Sequence, residues 1–318
     1  MKSTSTILSE KKFIYIIGSP KSGTTWLQAM VAAHPKVATT VELTLFNRYI
    51  HPWLDAWDLE SKNIEEGRWS QGLPYIMTRK EFYGLMREFI ARSYQKVLEL
   101  NPHASHILDK HPQYAFHVDE INLFIPRSRF IHVIRDGRDV AVSMVSARKH
   151  IGYGTGNIKD SAEAWKCHVL EARTASKFKG RYMEVRYEDL LENGSDVLSR
   201  VFQFCNLDIT DSKTRDIYEN HHFSKMKSRR QHADRRARTH VAFFRKGKAG
   251  AWKDDMSDRE RYIFDRDAGK LLEELQYGEK GWWSNSFLQK VYLPFSVSCM
   301  GKLSFIKRVL ISLCRSGR

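Results

Sequence analysis

The chain of 318 residues is 42% apolar and carries a formal charge of +15, enough apolar material for one large core or two modest ones and enough charge to call for an anionic partner. Residues 1–12 are polar and no run of about 18 apolar residues occurs, so neither a secretory leader nor a membrane span is expected, and a cytoplasmic location is. Cys167, Cys205, Cys299 and Cys314 are scattered without C-x-x-C spacing, which speaks against a zinc site or a disulfide framework.

No Pro/Gly/Ser linker, repeat or low-complexity tract divides the chain, so one domain is expected over 1–286, with a basic tail over 287–318. Residues 13–17, FIYII, predict a central strand buried on both faces. Gly18 ends it, and a helix opening at Thr24 and Thr25 runs through Val31 to a stop at His34-Pro35. The stretch 42–71 is rich in aromatic residues (Phe46, Tyr49, Trp53, Trp57, Trp69) without clean periodicity and predicts short helices and loops forming a wall or lid. Thr78-x-x-Glu81 is a capping box that opens a helix to about Leu100, where Asn101-Pro102 breaks it. Next come a strand at 106–109, a helix at 115–124, a strand at 129–135, a helix at 137–148 and a mobile glycine-rich loop at 152–156. A helix after Asp160, a strand at 181–185, short helices at 188–191 and 197–204, and a helix from the capping box Ser257-x-x-Glu260 to about Leu275 complete the pattern. Strands alternating with helices predict an α/β fold: a central parallel sheet flanked by helices, P-loop nucleotide-kinase-like, with the ligand beyond the carboxyl ends of the strands.

The loop between the first strand and helix is dense in anion ligands. Gly18 and Gly23 let the backbone turn sharply, the helix start presents free N–H groups, and the Lys21 ammonium and the Ser22, Thr24 and Thr25 hydroxyls stand beside them. A nucleotide triphosphatase places lysine after the second glycine of G-x-x-x-x-G-K-[ST]; here Thr24 holds that position and the cation is Lys21. Arg135 leaves the 129–135 strand eight residues before Ser143 in RDGRDVAVS, a spacing that lets the two share a second anion. Arg138 and Asp139 read as a surface ion pair or a cap. Arg245-Lys246-Gly247, within FFRKGKAGAW, sets two cations beside a glycine whose neighbouring N–H groups can face an anion.

The P-K-S-G-T-T-W run at 20–26 resembles the 5′-phosphosulfate loop of sulfotransferases, which use 3′-phosphoadenosine 5′-phosphosulfate (PAPS). The Arg135/Ser143 spacing resembles the 3′-phosphate motif of that family, and the RKG triplet resembles its R-K-G-x-x-G segment closing over the same phosphate, with Ala251 where a polar residue is commoner. An adenine needs flat partners, for which Trp26 and Phe244 are candidates, with Tyr187 in RYED as a third contact. The resemblance covers roughly residues 13 to 275 and implies transfer of a sulfuryl group from PAPS to an acceptor hydroxyl, releasing adenosine 3′,5′-bisphosphate, with no metal required and no nucleic acid partner. A glycan or glycolipid hydroxyl is the expected acceptor and a small phenol or alcohol the second. The competing functions are a P-loop nucleotide or small-molecule kinase and a non-catalytic nucleic-acid-binding protein using the basic 225–253 segment.

Two residues compete as the base that deprotonates the acceptor. Glu42 matches in position the catalytic glutamate of the tyrosyl-protein and carbohydrate branches of the family, whereas His111, in DKHP, resembles less closely the lysine-x-histidine of the branch that sulfates phenols and steroids. Glu42 is preferred, with Lys110 stabilising the transferring sulfuryl oxygens from the side opposite Lys21. In the tail, Leu303, Ile306, Leu310 and Leu313 form one helical stripe among basic residues, which suits either peripheral contact with an anionic membrane or docking on the chain's own core.

Overall fold

In a computed structural model, which describes residues 6–221, 247–284, 286, 290 and 292–294, a short helix α1 (Ile7–Glu10) leads into β1 (Lys12–Gly18). Phe13, Tyr15 and Ile17 of β1 pack into one core and Ile14 and Ile16 into another, as the two-residue period of a strand covered on both faces requires. Then come α2 (Thr24–Ala32), β2 (Val37–Thr39), a π turn over Phe46–Ile50, α3 (His51–Glu65), α4 (Arg79–Glu99), β3 (His106–Lys110), a 3-10 turn over Pro112–His117 and α5 (Val118–Phe124). The second half runs β4 (Arg129–Ile134), α6 (Gly137–Ile151), α7 (Ile158–Arg173), β5 (Tyr182–Arg186), α8 (Tyr187–Glu192), α9 (Gly194–Cys205), α10 (Asp211–Asn220), α11 (Trp252–Asp255) and α12 (Asp258–Glu274).

Among the described residues five strands form one parallel sheet, in the order β2-β3-β1-β4-β5. The α/β architecture is therefore the expected one. On one face α4, α5 and the 3-10 turn cover Tyr15, and on the other α2, α8 and α9 cover Ile14 and Ile16. A third cluster, built by α6, α7, α11 and α12 around Trp165, Trp252 and Phe264, extends the molecule beyond the sheet. Because β1 has β3 on one side and β4 on the other, the chain reverses its winding direction at β1 and leaves a crevice at the carboxyl end of that strand.

Both predicted capping boxes form, at Thr78/Glu81 and Ser257/Glu260. The 42–71 stretch differs from expectation: it contains the 15-residue helix α3, whose Leu54 and Trp57 are buried, with Trp57 stacked on Phe82 at 4.4 Å. The aromatic excess masked a helical stripe that packs on α4. The predicted helix at 115–124 splits into the 3-10 turn and α5, since Pro112 opens a tight turn before the α-helix begins. Gly154 is a packing residue, for a Cβ there would lie 2.3 Å from the Met144 carbonyl oxygen. Strand β2, only three residues long, and helix α10 escaped the sequence analysis. Most of the basic tail lies outside the described residues, and among those residues no helix is long and apolar enough to cross a membrane.

Two histidines of the sheet are buried. His106 bonds the Cys205 carbonyl at 3.0 Å and His132 meets the Tyr182 hydroxyl at 2.8 Å. Burial pushes their pKa down to about 4 and about 3. The unfolded chain therefore takes up protons near pH 6.5 where the fold does not, so stability falls as pH drops from about 6.5 towards 4, by at most about 1.4 kcal/mol per pH unit for each ring. Thermal melts between pH 7 and 4.5 check this, and His132→Phe is expected to flatten the slope.

Candidate active site

The crevice is floored by the loop after β1. Gly18 has φ 139° and would bring a Cβ within 2.5 Å of the Val133 carbonyl oxygen, so β4 runs against bare backbone. Lys21 adopts φ 70°, a left-handed conformation uncommon for a side chain of its length. Arg135 holds it there, donating from Nη1 to the Lys21 carbonyl at 3.1 Å while its guanidinium lies 4.3 Å from the Tyr187 ring centre. Arg135 also reaches the Lys248 carbonyl at 3.3 Å, joining the first loop to the 247–252 segment.

Gly23 caps α2 at φ 98°, with Tyr187 close enough that a Cβ would clash at 2.5 Å. Beside this cap the Ser22 hydroxyl is buried and has no hydrogen-bond partner among the described residues, and the same holds for Arg135 Nε. Buried polar atoms left unpaired next to a helix N-terminus are the signature of an anion site, because desolvating them costs free energy that a bound anion returns as hydrogen bonds. The donor set fits the phosphate groups of a nucleotide such as PAPS.

Near the expected 3′-phosphate site stands an anchor that the sequence analysis misassigned. Asp139 is fully buried: its Oδ2 accepts from the Gly250 N–H at 2.8 Å and its Oδ1 from the Trp252 N–H at 2.9 Å. This carboxylate ties the GKAGAW segment to α6 one turn from Ser143, which is itself buried on that helix. Arg138 is likewise buried rather than superficial, bonded to Asp136 at 2.7 Å and held between Trp252 and Trp282 at 3.9 and 4.5 Å. In RDGRD the spacing hid the burial, because the third core forms only when α11 and α12 close over α6. Gly247 has φ 63°, and Phe244, Arg245 and Lys246 lie outside the described residues. Trp26 is packed rather than open, 2% exposed, edge-on to Tyr187 at 5.7 Å and donating its indole N–H to the His221 carbonyl at 2.7 Å.

The remaining site residues converge at the other side of the crevice. Lys110, its side chain 4% exposed, donates to Thr25 Oγ1 at 3.1 Å and is bonded to Glu42 Oε1. Glu42 Oε2 lies 3.5 Å from His111 Nε2. Gln28 of α2 steers the chain towards Glu42, donating to Thr39 Oγ1 and the Thr40 carbonyl at 3.2 and 3.0 Å. His111 Nδ1 accepts from the Gln113 N–H at 3.2 Å, which sets the proton of the neutral ring on Nε2, facing Glu42. Burial lowers the His111 pKa, with Glu42 opposing the shift.

A cavity of about 660 Å³ opens over these groups, lined by Lys21, Thr25, Glu42, Lys110 and, from the glycine loop, Tyr153. Gln28 and Tyr153 escaped the sequence analysis because no local motif marks them. Of the aromatic run at 42–71 none lines this cavity, and Tyr49 and Trp53 gather instead around Phe89 at 5.8 and 4.9 Å. Elsewhere His51 and His117 both bond Glu120, at 2.7 and 3.0 Å, a cluster already satisfied by its own hydrogen bonds.

The sulfotransferase family model matches residues 14–211, well over half of the chain. The chain belongs to the sulfotransferase family. Among curated relatives, a putative protein-tyrosine sulfotransferase of Caenorhabditis briggsae is 27% identical over 199 residues, covering 62% of this chain and 66% of that protein. Protein-tyrosine sulfotransferase 2 of Gallus gallus is 25% identical over 207 residues, 64% of this chain and 53% of that protein. The match to this family member thus spans between half and two thirds of those two relatives. Among solved structures, mouse sulfotransferase SULT7A1 complexed with PAP shares its fold at TM-score 0.53 and 17% identity, covering 87% of this chain and 90% of that one. The sulfotransferase domain of the Synechococcus olefin synthase does so at TM-score 0.52 and 18% identity, over 85% and 97%.

Asp139→Ala strands one buried and one part-buried N–H group and is expected to destabilise this sulfotransferase fold by about 2 to 4 kcal/mol. Urea denaturation at pH 7 measures the loss.

Proposed function

We propose that this protein transfers a sulfuryl group from PAPS to an acceptor hydroxyl, with Glu42 as the base. The observation that carries this is the meeting of Glu42, Lys110 and Thr25 beside the anion loop, within a chain of the sulfotransferase family. PAPS would supply the activated sulfuryl group, held by Ser22, Gly23, Thr24 and Thr25 at its 5′ end and by Arg135, Ser143 and the 245–247 segment at its 3′-phosphate. Lys21 and Lys110 oppose the charge that develops on the sulfuryl and leaving oxygens. The acceptor O–H gives its proton to Glu42 while its oxygen bonds to sulfur, and the bond from sulfur to the 5′-phosphate oxygen breaks, freeing adenosine 3′,5′-bisphosphate.

Glu42 is preferred to His111 for a geometric reason. In the neutral ring Nδ1 is taken up by the Gln113 N–H and Nε2 bears the proton towards Glu42, so no nitrogen lone pair is left to accept a proton from the acceptor. Glu42, with its side chain 41% exposed, keeps carboxylate lone pairs at the crevice. His111 then serves to orient that carboxylate.

For the acceptor, a tyrosyl hydroxyl of a polypeptide is the first choice, supported by the names of the relatives above. A glycan or glycolipid hydroxyl is the second, supported by the exposed faces of Tyr49 and Trp53, which offer a stacking platform outside the cavity.

Adenosine 3′,5′-bisphosphate is expected to raise the melting temperature, and more so than ATP with magnesium or an oligonucleotide; no rise at millimolar bisphosphate would sink this function. With labelled PAPS, Glu42→Gln is expected to lose on the order of 10² to 10⁴ in kcat with bisphosphate affinity retained, and His111→Ala less than about tenfold. Near-normal kcat in Glu42→Gln with a collapse in His111→Ala would reverse the assignment.

A further inference from the structure

One buried carboxylate next to the site has no part in the transfer chemistry. Asp109, the residue before Lys110 at the end of β3, is 3% exposed. Four donors surround it: the hydroxyls of Tyr94 and Tyr114, each 3.0 Å from Oδ2, the Lys110 N–H at 2.8 Å from Oδ1, and the Leu43 N–H. Tyr15 extends the network, its hydroxyl 2.8 Å from that of Tyr94. The Tyr114 hydroxyl donates to Asp109 and accepts from the Leu45 N–H at 2.9 Å.

These bonds grip the chain on either side of one unusual residue. Leu43 and Leu45 are both anchored, and between them Thr44 has φ 55°, a left-handed conformation that a β-branched residue adopts only when its surroundings impose it. Glu42 is the next residue upstream. The same carboxylate therefore holds the backbone of Lys110 with one oxygen and, through Leu43 and the Tyr114–Leu45 bond, the segment that carries Glu42.

We propose that Asp109, Tyr94 and Tyr114 are positioning residues: a buried hub that sets the Glu42 carboxylate against Lys110 and His111. This rests on the assignment of Glu42 and Lys110 to the transfer site. The titratable groups facing the hub are Tyr15 from β1, Tyr94 from α4 and Tyr114 from the 3-10 turn, and burial raises the pKa of all three phenols as well as that of Asp109, the last to about 6. With two phenolic protons and two backbone N–H groups aimed at it, Asp109 works as an acceptor and has no proton to give to the reaction.

The test reads the position of Glu42 without requiring turnover. His111 reports on it, because the Glu42 charge raises the pKa of that ring. An NMR titration of the His111 ring in the full chain is expected to show a fall of about one pKa unit in Glu42→Gln, and at least half that fall in Tyr114→Phe, which keeps the ring and deletes one hydroxyl. An unchanged His111 pKa in Tyr114→Phe overturns the proposal. Where that variant does not fold, Tyr94→Phe leaves in place the Tyr114 hydroxyl that accepts from the Leu45 N–H and is expected to give a smaller fall of the same sign; no fall there overturns it equally. Kinetics supply the second readout. Tyr114→Phe is expected to lower kcat tenfold or more in the native background and less than twofold in Glu42→Gln, with bisphosphate affinity unaltered in both. Equal losses in the two backgrounds mean that Tyr114 does not act through Glu42. Absence of turnover in the unaltered protein would defeat the proposed function, and the titration would still decide the hub.

Discussion

Every strand of the sheet runs in the same direction, and the site depends on that constraint. A parallel sheet delivers all its carboxyl ends to one edge, so the residues after β1, β2, β3 and β4 meet although as many as 114 positions separate them in sequence, as with Lys21 and Arg135. Ile16 pairs with Lys110 and Gly18 with Val133; a shift of one residue would turn Lys110 to the opposite face. The alternating burial of Phe13, Tyr15 and Ile17 against Ile14 and Ile16 prevents that shift, because either face would then have to bury the wrong set of side chains.

Upon that edge, charge is organised in pairs. Lys110 is almost entirely buried yet bonded to both Glu42 and Thr25, so the cost of removing its ammonium from water is offset by two oxygen partners that belong to the two halves of the crevice. Arg135 does the same on the other side, joining the Lys21 carbonyl to that of Lys248 above the Tyr187 ring. Asp139 and Asp109 are the carboxylate counterparts, each fully desolvated and each spending its lone pairs on backbone or phenolic donors from distant elements. The charged groups nearest the anion loop are therefore held by hydrogen bonds from the protein itself, an arrangement that limits the reorganisation electrostatic stabilisation requires.

Much of this was legible in the sequence, and the limits follow from range. The strand at 13–17, the glycine-bounded turn after it and the capping boxes are local, set by steric preferences and hydrogen bonds within a few residues, and a linear pattern records them faithfully. Glu42 was marked in the sequence by its resemblance in position to a family glutamate, since β2, the strand that leads to it, is too short to read from a linear pattern. The tertiary structure decided what local chemistry leaves open. Arg138 and Asp139 have the composition of a surface ion pair, and only the closure of α11 and α12 over α6 makes them buried anchors. His111 has a pKa suited to a base in isolation, and only its contacts with Gln113 and Glu42 occupy both nitrogens. Asp109 carries no motif, since the two tyrosines that bond it come from α4 and the 3-10 turn and the third, behind Tyr94, from β1, and burial and hydrogen-bond satisfaction are properties of the packed assembly that no short stretch of sequence contains.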